Sequence, residues 1–201
     1  RHPEEVRYAE TLQEDLSRRD FTMNAVAVKP AGKKLEISDP FFGQTDLKEK
    51  IIRAVGEPQE RFTEDALRML RAVRFAVTLG FSIEEQTQKA IVRNAEFLKE
   101  ISKERIRDEL LKLLSYPNAA EGYLILRNLG LAAKILPEVE KGFGVEQKSE
   151  KRHHLHDVGT HSVLSLEYCK SQNPFVKLAA LIHDLGKPVV ASKTEEGVIT
   201  F

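Results

Sequence analysis

The spacing of apolar residues changes period along this chain. From Phe21 to Val28 the period is two. Phe21, Met23, Ala25 and Ala27 alternate with Thr22, Asn24, Val26 and Val28, which predicts a strand with at least one buried face. Val6 and Tyr8 suggest a short strand before it, and Leu35–Ile37 another after a turn at Pro30–Lys34 that contains Gly32. Asp39–Gly43 (DPFFG) carries turn chemistry. From Arg61 the pattern becomes helical. Arg61–Ala76 (RFTEDALRMLRAVRFA) reads as one helix, with Thr63 as N-cap and Glu64 and Asp65 in its first turn. Ser82 and Glu85 form a capping-box signature for a helix running to about Glu100. Ser102 opens the next, whose residues Ile106, Leu110, Leu113 and Leu114 make one apolar stripe. Its outer face sets Lys103, Arg105, Arg107 and Lys112 against Glu104, Asp108 and Glu109, and reads as a solvated face. Pro117 ends it; Asn118 and Glu121 cap another helix, Gly130 closes that one, and Ala132–Val139 is short and apolar. Lys141–Arg152 reads as a linker. Asp157–Lys170 and Pro174–Leu185 read as buried helices.

Composition narrows the class. The 201 residues are 41% hydrophobic, enough for a core, and 31 Lys plus Arg balance 31 Asp plus Glu. A net charge of zero means that any nucleic-acid surface must be a local basic face. The single cysteine, Cys169, excludes an intramolecular disulfide and suits a reducing compartment. No apolar run approaches the ~18 residues of a membrane span, and no signal peptide is evident. The expected location is cytoplasmic. Oligomeric state is not legible.

The predicted helix at Arg61–Ala76 carries a row spaced by three: Asp65, Arg68, Arg71 and Arg74. Neighbours in such a row lie about 60° apart. Asp65 and Arg68 can then face one planar object, whereas Arg74 faces nearly opposite Asp65 and needs a different role. A carboxylate accepts hydrogen bonds and a guanidinium donates them in a rigid fork. Cytosine and adenine present an amino donor beside a ring-nitrogen acceptor; guanine and uracil present the reverse. An Asp–Arg pair therefore suits C and A. The simpler reading, a surface ion pair worth a few tenths of a kcal/mol, is the better one from this helix alone.

The wider sequence alters that balance. Arg18–Ala25 (RRDFTMNA), followed by EDALRMLRAVRFA, resembles the bacterial tRNA nucleotidyltransferase (CCA-adding) and poly(A) polymerase family. These are class II members of the DNA polymerase β-like nucleotidyltransferase superfamily. The resemblance implies an α+β fold: the C-terminal part of a nucleotidyltransferase palm over 1–58, an all-α neck and body over 59–140, and a linker over 141–152. It implies addition of C and/or A from CTP and ATP to the 3′ end of tRNA. Asp65 and Arg68 would select the base, and Arg19 would contact the nucleoside triphosphate. Arg71 and Arg74 would face the triphosphate and sugar, with Asp20 and Asn24 near the sugar and phosphates. A strand-end cap and a turn contact are the alternatives for Asp20 and Asn24. The segment ISKERIRDELLKLL would support the primer tRNA. Family members carry a glycine-rich turn and then an aspartate pair for Mg²⁺ upstream of these motifs. The first 60 residues hold Asp15, Asp20, Asp39 and Asp46 but no D-x-D pair. The expectation is therefore a fragment with no catalytic residue of its own and no transfer activity alone. Gly43 is followed by Gln44 where the family usually has two glycines.

The last residues, 153–201, resemble the start of an all-α HD phosphohydrolase domain, whose motif is a His, then an adjacent His–Asp, then a later Asp. His161, His183 and Asp184 match the first three. Asp184, at a helix C-terminus among Leu181, Ile182 and Leu185, would be costly unless a cation relieved it. Imidazole plus carboxylate suits a divalent first-row metal. The alternative is a pair of satisfied core histidines. No aspartate follows Asp184. His153, His154 and His156 read as a solvated basic loop. Rival functions are an HD-type metal-dependent phosphohydrolase, a poly(A) polymerase, or an RNA-binding module.

Overall fold

The computed structural model of the protein describes residues 9–32, 34–147, 155–193 and 199–200. The strand predicted at Val6 and Tyr8, the histidines His153 and His154, and linker residues 148–152 lie outside them.

Thr11 opens α1 (Leu12–Ser17), its hydroxyl accepting from Glu14 N at 3.2 Å. The next segment departs from the predicted strand. Thr22–Asn24 form a single 3₁₀ turn, because Asp20 Oδ1 accepts from Phe21 N at 2.9 Å and from Asn24 Nδ2 at 3.0 Å and curls the chain. Phe21 keeps one antiparallel bridge, to Ala54. Phe21 and Ala25 are fully buried while Met23 is only half-buried, a spacing of four rather than two. The strand proper, β1 (Ala27–Ala31), pairs antiparallel with β2 (Lys34–Ser38), with Gly32 at φ 64° in the turn and Val28 opposite Ile37. The Asp39 carboxylate then accepts from Gly43 N at 2.7 Å and Gln44 N at 3.0 Å and starts α2 (Gly43–Glu49). A Cβ on Gly43 would lie 2.1 Å from the Thr22 carbonyl oxygen, so this helix can sit against the 3₁₀ turn only with glycine there.

After β3 (Ile51–Ile52), the single helix predicted over Arg61–Ala76 is two: α3 (Pro58–Glu64) and α4 (Leu67–Leu79). Asp65 leaves helical geometry at φ −150°, ψ 99°, and its Oδ1 accepts from Leu67 N at 3.2 Å. It caps the second helix instead of joining the first. Thr63 is inside α3, its hydroxyl donating back to the Gln59 carbonyl at 2.9 Å, and caps nothing. α4 buries Met69, Ala72 and Val73 completely and stops at Gly80, φ 66°. β4 (Ser82–Ile83) pairs parallel with β3, so Ser82 is a strand residue and not a cap. The cap of α5 (Glu85–Asn94) is Glu84, whose carboxylate accepts from Thr87 N and Oγ1 at 2.7 and 2.9 Å. A 3₁₀ segment over Ala95–Glu100 follows it.

The helical layers are α6 (Lys103–Leu114), α7 (Ala119–Asn128), α8 (Ala132–Ile135), α9 (Pro137–Glu140), α10 (Val158–Tyr168), α11 (Pro174–Ile182) and α12 (Lys187–Val190). A small antiparallel pair, β5 (Ser192–Lys193) with β6 (Ile199–Thr200), follows. One core runs from Phe21 and Phe62 through Met69, Ile91, Leu114 and Tyr123 to Leu166 and Leu181. α10 packs on α7, and α11 on α6. The described part of the predicted linker is tied by backbone bonds to the start of α10. Gly159 N donates to Gly142 O at 2.9 Å, Val158 N donates to Val145 O at 3.0 Å, and the Phe143 ring fills the space where a Gly159 Cβ would stand. Among the described residues no helix is long and apolar enough to cross a membrane.

The outer face of α6 is not uniformly solvated. Glu109 is 4% exposed and accepts from Arg74 Nε at 2.7 Å and from Lys112 Nζ at 2.9 Å. The Arg74 guanidinium also covers the Phe75 ring, 4.1 Å from its centroid. Burial alone would raise the Glu109 pKa, but the bonds from Lys112 and Arg74 outweigh it and hold the carboxyl below its ordinary 4.5. A folded value below the unfolded one contributes stability that is present above 4.5 and lost as pH falls through the folded value. Glu109→Gln leaves the Arg74 charge without its counter-ion and is expected to cost about 3 kcal/mol at neutral pH. It should also flatten the acid limb of stability below about pH 4.5. Urea unfolding of both proteins across pH checks this; parallel acid limbs would contradict it.

Candidate functional site

Three segments converge on one cavity of about 480 Å³: the curl at residues 19–24, the helix break at residues 65–71, and α6. The cavity is lined by Arg19, Asp20, Asn24, Asp65, Leu67, Arg68, Arg71 and Arg105. Four guanidiniums face two carboxylates there, which makes a local basic site in a chain of zero net charge. Each charged group is held by its own partners. Arg71 donates from Nε and Nη2 to Asp20 Oδ2 at 2.8 and 2.6 Å, and Asp20 is buried. Arg19 donates from Nη2 to Asp15 Oδ2 at 2.9 Å and from Nη1 to the Asn24 carbonyl at 3.2 Å. Arg68 reaches Glu64 Oε2 at 3.0 Å and the carbonyls of Arg61 and Arg18 at 3.3 and 2.8 Å. Asp65 Oδ2 accepts from Arg105 Nη2 at 2.7 Å.

Burial ranks these commitments. The Arg19–Asp15 pair is half-exposed on both sides, so its energy is small and Arg19 can turn to a better anion. The Arg71–Asp20 pair is desolvated on the acid side and fixes the guanidinium in place. Fixed and adjustable arginines around one opening suit a polyanion such as a triphosphate. An acceptor at Asp65 and a donor at Arg68, side chains held by different partners, suit a planar hydrogen-bonding edge.

Six of the seven residues predicted for nucleotide binding therefore meet in one place: Arg19, Asp20, Asn24, Asp65, Arg68 and Arg71. Arg74 is not among the lining residues. One turn further along α4, it faces α6 and pairs with Glu109, so the geometry does not support a contact with triphosphate or sugar. Asp20 and Asn24 are bonded to each other, and Asp20 spends its other oxygen on Arg71; both shape the site more than they open onto it. Arg105 was not predicted. It sat within a mixed-charge helix face, and its partner Asp65 is 40 positions away, so no local pattern marks it.

A second cluster joins α10 to the end of α11. His161 Nε2 and His183 Nε2 are 3.2 Å apart, and Asp184 Oδ2 is 3.7 and 3.2 Å from them. The ligand atoms lie within 4.8 Å of one another, the one such His/Cys/Asp/Glu group among the described residues able to hold a metal ion. His183 Nδ1 lies 2.9 Å from the Ala180 carbonyl, which fixes the ring with Nε2 toward the cluster. Lys187 Nζ stands 2.6 Å from Asp184 Oδ2 and donates to Gln147 Oε1 at 2.7 Å. His156 is exposed, as a solvated loop residue would be.

The chain as a whole is similar to proteins of known sequence and structure. The family model for the poly A polymerase head domain matches residues 1–53, and that for the probable RNA and SrmB-binding site of polymerase A matches residues 80–143. The CCA-adding enzyme of Geobacillus thermodenitrificans (strain NG80-2) is 50% identical over 142 residues, 71% of this chain and 34% of the relative. The A-adding tRNA nucleotidyltransferase of Deinococcus radiodurans is 43% identical over 186 residues, 88% of this chain and 41% of the relative. The chain thus spans well under half the length of these curated relatives. Among solved structures, the Bacillus stearothermophilus CCA-adding enzyme in complex with CTP is similar with a TM-score of 0.68 at 40% identity, over 91% of this chain and 43% of that one. A tRNA nucleotidyltransferase complexed with a primer tRNA and an incoming ATP analog is similar with a TM-score of 0.67 at 30% identity, over 90% of this chain and 52% of that one.

The ranking by burial is open to a direct check. Asp20→Ala strands the Arg71 charge and is expected to cost about 3 kcal/mol, whereas Asp15→Ala should cost under about 1 kcal/mol. Chemical denaturation of the two variants measures both; equal costs would contradict the ranking.

Proposed function

This chain belongs to the bacterial tRNA nucleotidyltransferase and poly(A) polymerase family, and from that membership we propose that it supplies the nucleotide-selecting part of an enzyme adding C and/or A to the 3′ end of tRNA from CTP and ATP. The observation that carries this reading is the meeting of Asp65 and Arg68 with Arg19 and Arg71 in one cavity. In it, Asp65 accepts from the exocyclic amino group of cytosine or adenine, and Arg68 donates to the adjacent ring nitrogen. Guanine and uracil would set carbonyl against carboxylate and N–H against guanidinium, leaving buried groups unpaired. Arg71, fixed by Asp20, and Arg19, only loosely held by Asp15, take the phosphates. The family's transfer chemistry needs a divalent metal, which we take to be Mg²⁺. Among the described residues, the buried carboxylates before Pro58 are otherwise engaged, Asp20 with Arg71 and Asp46 with Thr22 and Arg53. They do not fit a metal pair, so the roles assigned here stop at binding and base choice. The same reading places the protein in the cytoplasm, on tRNA.

In the full-length protein, Asp65→Ala and Arg68→Ala should each lower the preference for CTP and ATP over UTP and GTP by about 1–3 kcal/mol, by analogy with bidentate base readout. Incorporation of all four nucleotides on a tRNA primer measures it. Unchanged choice in both variants would refute the base reader.

A second reading rests on a separate observation, the converging atoms of His161, His183 and Asp184. We infer that they bind a divalent first-row ion in an HD-type domain, with phosphohydrolase activity as its chemical class. Two imidazoles and a carboxylate fit such an ion, and Lys187 already bonds the Asp184 oxygen that would be its third ligand. Calorimetric titration of the full-length protein with Mn²⁺ or Ni²⁺ should show a site that the double variant His183→Ala, Asp184→Ala lacks, with nucleotide choice unaltered. No difference between the two proteins would overturn the assignment.

A further inference from the structure

We propose that Arg105 is a positioning residue for base selection, acting through Asp65; the inference rests on the reading of Asp65 and Arg68 as the base reader. The terminal torsion of an aspartate is broad, so one hydrogen bond does not set the plane of its carboxylate. Asp65 has two bonds, one to each oxygen: Leu67 N holds Oδ1 at 3.2 Å, and Arg105 Nη2 holds Oδ2 at 2.7 Å. Together they fix the plane. A carboxylate oxygen has two lone pairs, so Oδ2 can keep Arg105 and still accept from an amino group in the cavity.

The donor half of the reader is set elsewhere. Arg68 is held by Glu64 and by the carbonyls of Arg61 and Arg18, none of them on α6. The acceptor half alone therefore depends on α6. The Asp65–Arg105 pair also stands between the nucleotide cavity and a neighbouring one of about 350 Å³, lining both. Arg105 is 49% exposed and Asp65 29%, so the pair adds little to stability while it governs geometry. A merely structural arginine would show the opposite balance.

The test uses the full-length protein and two discrimination ratios, the kcat/KM for CTP over UTP and for ATP over GTP, on a tRNA primer. Arg105→Gln is expected to lower both ratios by about tenfold, short of the full penalty for a mispaired site, with the melting temperature unchanged. Added to Asp65→Ala, it should lower neither ratio further, since a residue acting through another has nothing left to position. If Arg105→Gln keeps both ratios while Asp65→Ala loses them, the proposal falls and the base reader stands. If the effect of Arg105→Gln persists undiminished on the Asp65→Ala background, Arg105 acts independently and the proposal also falls. If Asp65→Ala itself keeps both ratios, the base reader fails and Arg105 with it.

Discussion

One residue's refusal of helical geometry shapes the site. At Asp65 the backbone turns out of α3 and restarts as α4 two residues later. Had the helix continued, the Asp65 carboxylate would have stood on a regular surface and competed for Arg68 as an ordinary i,i+3 neighbour. The break lets one oxygen cap the new helix and turns the other toward α6 and the cavity. It leaves Arg68 to Glu64 and two carbonyls. An acceptor and a donor that would have neutralised each other are kept apart and available.

The arginines that follow show how one row of like residues is divided by burial. Arg74 is closed off with Glu109 and an aromatic face, and belongs to the joint between α4 and α6. Arg71 has one side committed to Asp20 and the other open to the cavity. Arg19, from another segment, is tied only to an exposed acid. The cost of removing a partner rises with desolvation, so this gradient runs from rigid support to adjustable contact. The curl that carries Arg19 and Asn24 is braced from behind by α2, which approaches through Gly43.

What could be read from the chain was whatever its neighbours in sequence decide. The apolar stripe of α6 and the hairpin turn at Gly32 depend on residues within a turn of each other, and each lies where its pattern put it. The six cavity residues could be named because two short motifs carry them, but their convergence belongs to the fold. The misreadings share a cause. The Phe21–Val28 alternation fits a strand, yet the Asp20 side chain offers the backbone a tighter turn. Dipole and period both favoured a helix through Asp65, and only a partner 40 residues away shows what it gains by leaving. Arg105 and Glu109 looked alike on a polar face; which one is buried is decided by α4 packing against it.

The lysine beside the histidine cluster has its own consequence. With Lys187 Nζ lodged between Asp184 and Gln147, the carboxylate already has a tethered counter-ion. A divalent ion arriving there would meet an acid whose negative charge an ammonium already offsets, rather than a bare anionic hole.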